Sequence, residues 1–136
     1  MIRMKIPFPS VSSELAYSAH MYICVVSTIQ YKFVKCQTLK PYMLIQSPME
    51  KYCDETPDIT RNPFTRPTRI DCDKKFTTSG VAYADSLLTE RRPDVCEELF
   101  AQINEKLSAN DIALDEAKLV ALNPYISRIT TFSKDT

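Results

Sequence analysis

With 136 residues, 17 Lys and Arg against 17 Asp and Glu, and a formal net charge of zero, the chain is sized for one domain, 1–136, and its overall charge argues for neither a nucleic-acid nor a membrane partner. A single glycine and a single histidine leave no glycine-rich phosphate loop and no Cys/His zinc set, so neither metal nor cofactor is expected. Five cysteines, an odd number with no close pair (Cys24, Cys36, Cys53, Cys72, Cys96), point away from a disulfide framework and toward free thiols in a reducing, cytoplasmic setting.

Taken in order, residues 1–12 combine two prolines with serines and read as an extended arm, after which Ser12 or Ser13 can cap a short helix over ELAYSA. The run AYSAHMYICVV is interrupted by Ser18 and His20 and is followed by no small-residue cleavage site, so it reads as neither signal peptide nor membrane span. Met21 to Val26 reads as a strand, STIQ as a loop, and YKFVKCQT as a second strand with Tyr31, Phe33 and Cys36 set against Lys32 and Lys35. Pro41 leads into YMLIQS, read as a third apolar strand that Pro48 ends. Residues 48–67 hold four prolines and four acids and read as one long loop, a candidate lid or recognition loop. With so little glycine, tight primed hairpins are not expected.

TRIDCDKKF and GVAYADSLL read as extended segments, with Ile70, Cys72 and Phe76, then Val81 and Tyr83, roughly alternating with polar residues, which puts Asp71 and Asp73 on an outer face. They lead into PDVCEELFAQINEKL, where Val95, Cys96, Leu99, Phe100, Ile103 and Leu107 recur at helical spacing and Asp94 with Glu97 forms a capping pattern. Asn110 can close that helix. LDEAKLVAL reads as a second one, from Asp115 to Asn123 and Pro124, and residues 126–136 as a tail. The class is α+β: about five strands in a small, strongly curved antiparallel sheet or SH3-like, partly open barrel, closed by a C-terminal helix.

Arginines and carboxylates are the chemistry that remains: Arg66, Arg69, Asp71, Asp73, Asp85, Arg91 and Arg92, with His20 and a basic first third (Arg3, Lys5, Lys32, Lys35, Lys40 against Glu14). Such groups suit phosphodiester chemistry. Arginine forks hold phosphate oxygens, and a carboxylate or histidine can move the proton of a ribose 2′-hydroxyl. The structural alternative pairs Arg91 and Arg92 with acids of the helix and makes His20 a packed residue.

Two segments carry a family resemblance. LKPYMLIQSP, Leu39 to Pro48, resembles the pattern of MazF/PemK-type ribonuclease toxins, in which a basic residue and a proline lead into an apolar strand ending near a small polar residue. GVAYAD, Gly80 to Asp85, is similar to their later strand with its aspartate, and the helix that follows fits the one those toxins pack against an SH3-like barrel. The resemblance implies a metal-independent endoribonuclease acting on single-stranded RNA, a homodimer, and an antitoxin protein as partner. It implies a site in which Lys40, at the position of the family's catalytic arginine, and Arg69 hold phosphate, Asp85 or His20 moves protons, and Arg66, Lys35, Arg91 and Arg92 bind substrate. Two other functions fit the same residues: a non-catalytic barrel binding protein or nucleic acid through the basic strands and the long loop, and a phage-related accessory interaction protein.

Overall fold

The computed structural model describes residues 1–4, 20–45, 49–89, 92 and 94–129. Its elements are β1 (Ile2–Met4), β2 (His20–Ser27), β3 (Tyr31–Thr38), α1 (Pro41–Ile45), β4 (Tyr52–Glu55), β5 (Thr68–Asp71), β6 (Lys75–Thr78), β7 (Val81–Tyr83), a 3-10 turn (Asp85–Leu87), α2 (Glu97–Lys106), β8 (Asp111–Ala113), α3 (Glu116–Leu122) and β9 (Ile126–Arg128). This is an α+β arrangement built on a mostly antiparallel sheet in the order β1-β2-β3-β5-β4. Strand β3 is its hub, because its first half pairs with β6 and its second half with β5 on the same side. The one parallel pairing among the described residues joins β6 to β8, and β7 and β9 form a separate two-stranded ladder. The sheet does not close: β1, β4 and, beyond β6, β8 remain its edges.

Alternation along the strands divides the core into two layers. One face sets Ile23, Val34, Cys36 and Ile70 under α2, whose Leu99 and Ile103 are fully buried with Phe64 beside them. The other sets Tyr22, Phe33 and Phe76 under Val81 and Ile126 of the small ladder and Leu119 of α3. Each such side chain contributes about 1.5–3 kcal/mol on burial. Gly80 lies where the chain leaves the large sheet for the small one. The Glu116 carboxylate accepts from Ser79 N–H at 2.7 Å and Gly80 N–H at 3.1 Å, so a Cβ on Gly80 would come within 2.8 Å of its Oε1.

Several expectations are corrected. The described part of YMLIQS, Tyr42 to Ile45, is not a strand: residues 41–45 form α1, because both sides of β5 are already taken by β3 and β4, and Pro41 suits a first helical position. The long loop contains β4 and a wired turn, in which Arg61 bonds Glu55 at 3.0 and 3.1 Å and also Glu98, while fully buried Asn62 donates to Glu55 Oε1 at 2.9 Å. Asp71 is only 5% exposed, since β5 lies between two strands. The cap of α2 is Cys96, whose Sγ accepts from Leu99 N–H at 3.5 Å. Asp94 is not the cap: Arg61 O holds Cys96 N–H at 2.8 Å, keeping the chain extended until Glu97. The arm contributes an edge strand, β1, and the expected tail contributes β9. The helix expected over ELAYSA lies outside the described residues. The second helix forms as read, with Asp115 accepting from Lys118 N–H at 3.2 Å.

Candidate functional site

Four strand ends meet at one end of the large sheet, where β1 and β3 finish and β2 and β5 begin. Register brings together there residues distant in sequence. Met21 pairs with Cys36, so His20 falls opposite Gln37; Gln37 pairs with Arg69, and Arg69 with Asp54. His20, Gln37, Arg69 and Asp54 thus form one row across the sheet, with His20 and Arg69 roughly 10 Å apart at two strand spacings.

The inner part of this row is locked. Arg69, 2% exposed, donates Nε to Asp54 Oδ1 at 2.7 Å and Nη2 to Asp54 Oδ2 at 2.8 Å, and its Nη1 reaches Met43 O of α1 at 3.1 Å. Its guanidinium lies 3.8 Å from the Tyr52 ring centroid. The Asp54 carboxylate pushes the Arg69 pKa up, outweighing burial. A bidentate carboxylate, a carbonyl and an aromatic face leave this arginine no fork to offer a phosphate. Two rows further along β5, Asp71 has its carboxyl pushed up by burial, although its Oδ1 accepts from Asp73 N–H at 2.8 Å and Lys74 lies 3.9 Å away.

The outer part is open. A cleft of about 130 Å³ is lined by Arg3, half-buried His20, Gln37, Thr38 and Thr68, with no carboxylate among its described lining residues. Lys35 Nζ donates to Gln37 Oε1 at 2.9 Å and so orients that amide. Arg3 is exposed on β1 and also lines a second cleft of about 410 Å³, with Thr65, Ser86 and Thr89 among its polar walls. Past Thr38 and Thr68, which are cross-strand partners, Leu39 N–H donates to Pro67 O at 2.8 Å. Continuing that register sets Lys40 opposite Arg66, both exposed at the rim.

Of the residues singled out in the sequence, His20, Lys35, Lys40, Arg66 and Arg69 therefore converge on one end of the sheet. Asp85 does not join them: it opens the exposed 3-10 turn and lines neither cleft. Arg92 is engaged elsewhere, donating to Asp94 O at 2.6 Å and Ile59 O at 3.2 Å, and Arg91 lies outside the described residues. Sequence reasoning missed Arg3, Gln37, Thr38 and Thr68 as cleft residues; the signal for Arg3 was the apolar pair Ile2 and Met4 flanking it at strand spacing. Among the described residues no three His, Cys, Asp or Glu side chains gather as metal ligands, and no helix is long and apolar enough to cross a membrane. No family model matches this chain, nor does any curated protein or solved structure.

Proposed function

We propose that this protein is a metal-independent endoribonuclease for single-stranded RNA, with the reacting phosphate seated at the end of the sheet between Arg3 and His20. The observation that carries the reading is the small cleft itself, where the chain's one histidine and an arginine share a concavity with hydroxyl and amide groups and with no carboxylate among the described lining residues. In that arrangement His20 takes the proton of a ribose 2′-hydroxyl, the freed oxygen attacks the adjacent phosphorus, and the bond to the 5′ oxygen breaks to leave a cyclic phosphate. Arg3 holds the non-bridging oxygens, and Lys40 and Arg66 hold neighbouring phosphates at the rim. The toxin-type resemblance adds a homodimer, an antitoxin protein and a barrel-like curvature of the sheet to this proposal. A second reading, RNA binding without cleavage, is favoured by one observation: the Arg69 forks are already filled by Asp54.

The test incubates purified protein with a long single-stranded RNA in the presence of EDTA and compares it with Arg3→Ala and His20→Ala. Each substitution is expected to slow cleavage by roughly 100-fold or more, with binding reduced far less by His20→Ala than turnover. Cleavage that persists undiminished in both variants removes this cleft from the mechanism. Binding by the parent without any cleavage selects the second reading, in which Arg3→Ala lowers the salt dependence of affinity by about one unit for each phosphate that the side chain neutralises.

A further inference from the structure

The larger cleft, about 410 Å³, adjoins the small one through Arg3 and Met21, cross-strand partners that line both. Pockets that hold small molecules run to about 300–1,000 Å³, so it has room for a nucleoside. One wall is the segment from Ser86 to Thr89, and the other is formed by Pro63 and Thr65. Both are tied to the fold. Ile2 of β1 pairs with Tyr22 on one side and bridges to Leu88 on the other, while Thr89 donates its N–H to Met1 O at 3.3 Å and its Oγ1 to Arg92 O at 2.5 Å. Across the cleft Phe64, 1% exposed, anchors the chain between Pro63 and Thr65, and its N–H donates to Asn62 Oδ1 at 3.1 Å. Backbone and core thus set the concavity, and a ligand entering it has little to order.

The lining is mixed in a particular way. Met21, Pro63 and Leu88 give apolar surface, Leu88 while 41% exposed, and the hydroxyls of Thr65 and Ser86 have no hydrogen-bond partner among the described residues. One guanidinium stands at the junction with the small cleft, and no carboxylate is among the described lining residues. Apolar walls with hydroxyls that can donate or accept suit an unstacked nucleobase, whose faces are apolar and whose edge carries both kinds of group. The guanidinium suits the phosphate attached to it.

Strand order then fixes which nucleotide enters. β1 lies between β2 and the Leu88 segment, so Arg3 stands between His20 and the outer wall of the larger cleft. With a phosphate on Arg3 and the attacking 2′-oxygen toward His20, the departing 5′-oxygen lies on the opposite side of phosphorus, because attacking and leaving oxygens stand in line. The nucleoside carried on that 5′-oxygen is directed into the larger cleft. We propose that this cleft is a nucleobase subsite for the nucleotide on the 3′ side of the phosphate held by Arg3, with Leu88 and Pro63 against the ring and Thr65 and Ser86 at its edge. The strand direction rests on the reading of the small cleft given above, whereas the capacity to hold a base rests on the larger cleft alone.

The experiment titrates isotope-labelled protein with adenosine 5′-monophosphate, adenosine 3′-monophosphate and ribose 5′-phosphate and follows the backbone amide resonances. Adenosine 5′-monophosphate is expected to shift Arg3, Thr65 and Leu88 together, and ribose 5′-phosphate, which lacks the base, to bind roughly 10-fold more weakly. Adenosine 3′-monophosphate should shift Arg3 and His20 without Thr65 and Leu88. In Leu88→Ala, an exposed position that leaves folding intact, affinity for adenosine 5′-monophosphate should fall toward that for ribose 5′-phosphate. Equal affinities for the two 5′-phosphates, no shift at Thr65 and Leu88, or the same shifts from the 3′ and 5′ nucleotides overturn the proposal. The two readings fail separately: RNA cleavage without base-dependent binding removes the subsite and keeps the nuclease, whereas base-dependent binding in the larger cleft of a protein that cleaves no RNA keeps the subsite and removes the nuclease.

Discussion

Arg69 and Arg3 belong to the same end of the same sheet, yet their environments are opposite. Arg69 sits on an internal strand with a carboxylate directly opposite, a short helix above and a tyrosine ring against it, and each of its three guanidinium nitrogens donates a hydrogen bond. Arg3 sits on a three-residue edge strand, exposed, with no hydrogen bond or ion pair to its guanidinium among the described residues, and it lines both clefts. The difference teaches that strand position, rather than residue type, decides whether an arginine serves the fold or remains available to a ligand. An internal strand brings lateral partners within about 5 Å on both sides; an edge strand brings them on one.

The largest effect that would break this comparison is expected at Arg69. Arg69→Met leaves the Asp54 charge without its partner and should cost about 3 kcal/mol, toward the low end for a broken buried pair because Asp54 is 36% exposed. Urea unfolding measures it, and a loss below about 1 kcal/mol would mean that the network fastens the sheet no better than a surface ion pair does. Next comes Tyr52→Leu, which removes the ring beneath the guanidinium and should cost about 1 kcal/mol by the same measurement.

A smaller, pH-dependent effect is expected at Asp71. Its folded pKa is raised by burial, so the folded state holds the proton more tightly than the unfolded chain. That contribution to stability is complete below the unfolded pKa, near 3.8, and is lost as pH rises through the folded value. Asp71→Asn keeps an oxygen to accept from Asp73 N–H and should remove this component. Urea midpoints compared across mildly acidic to neutral pH should then show the variant gaining on the parent as pH rises, and parallel curves would refute the assignment. The smallest effects on stability are expected at Arg3→Ala and Lys40→Ala, within about 0.5 kcal/mol of the parent, because both side chains are exposed. A substantial loss of stability in Arg3→Ala would place it beside Arg69 and dissolve the contrast.

Local patterns were readable in the sequence and lateral pairings were not. The apolar face of α2, the strands β2 and β3 and the second helix with its Asp115 cap follow from periodicity and capping chemistry alone. The helical fate of residues 41–45 does not, because it depends on β4 having taken the vacant side of β5 from within a proline-rich stretch. Asp71 looked outward by alternation, but its face is covered, a tertiary fact invisible in a period of two. The site was half legible. His20, Lys40 and Arg66 could be named from charge and residue type, whereas Gln37 and Thr68 reach His20 only through two successive registers, β2 with β3 and β3 with β5.

Two margins of the large sheet, at β1 and at β4, are guarded, and this bears on self-association. At one margin Ile2 bridges to Leu88, and Thr89 N–H donates to Met1 O at 3.3 Å, so the segment after the 3-10 turn shields part of β1. At the other, β4 is only four residues long, carries Asp54 and Glu55, and has the Tyr52 carbonyl occupied by Lys106. Short length, charge and a lysine on the rim are the devices that keep exposed strands from templating another chain. Lys106→Met would return that carbonyl to the surface and replace a cation with an apolar side chain, favouring sheet-to-sheet stacking at high protein concentration. The lysine that fills an edge carbonyl thereby helps keep one molecule from adding itself to the next.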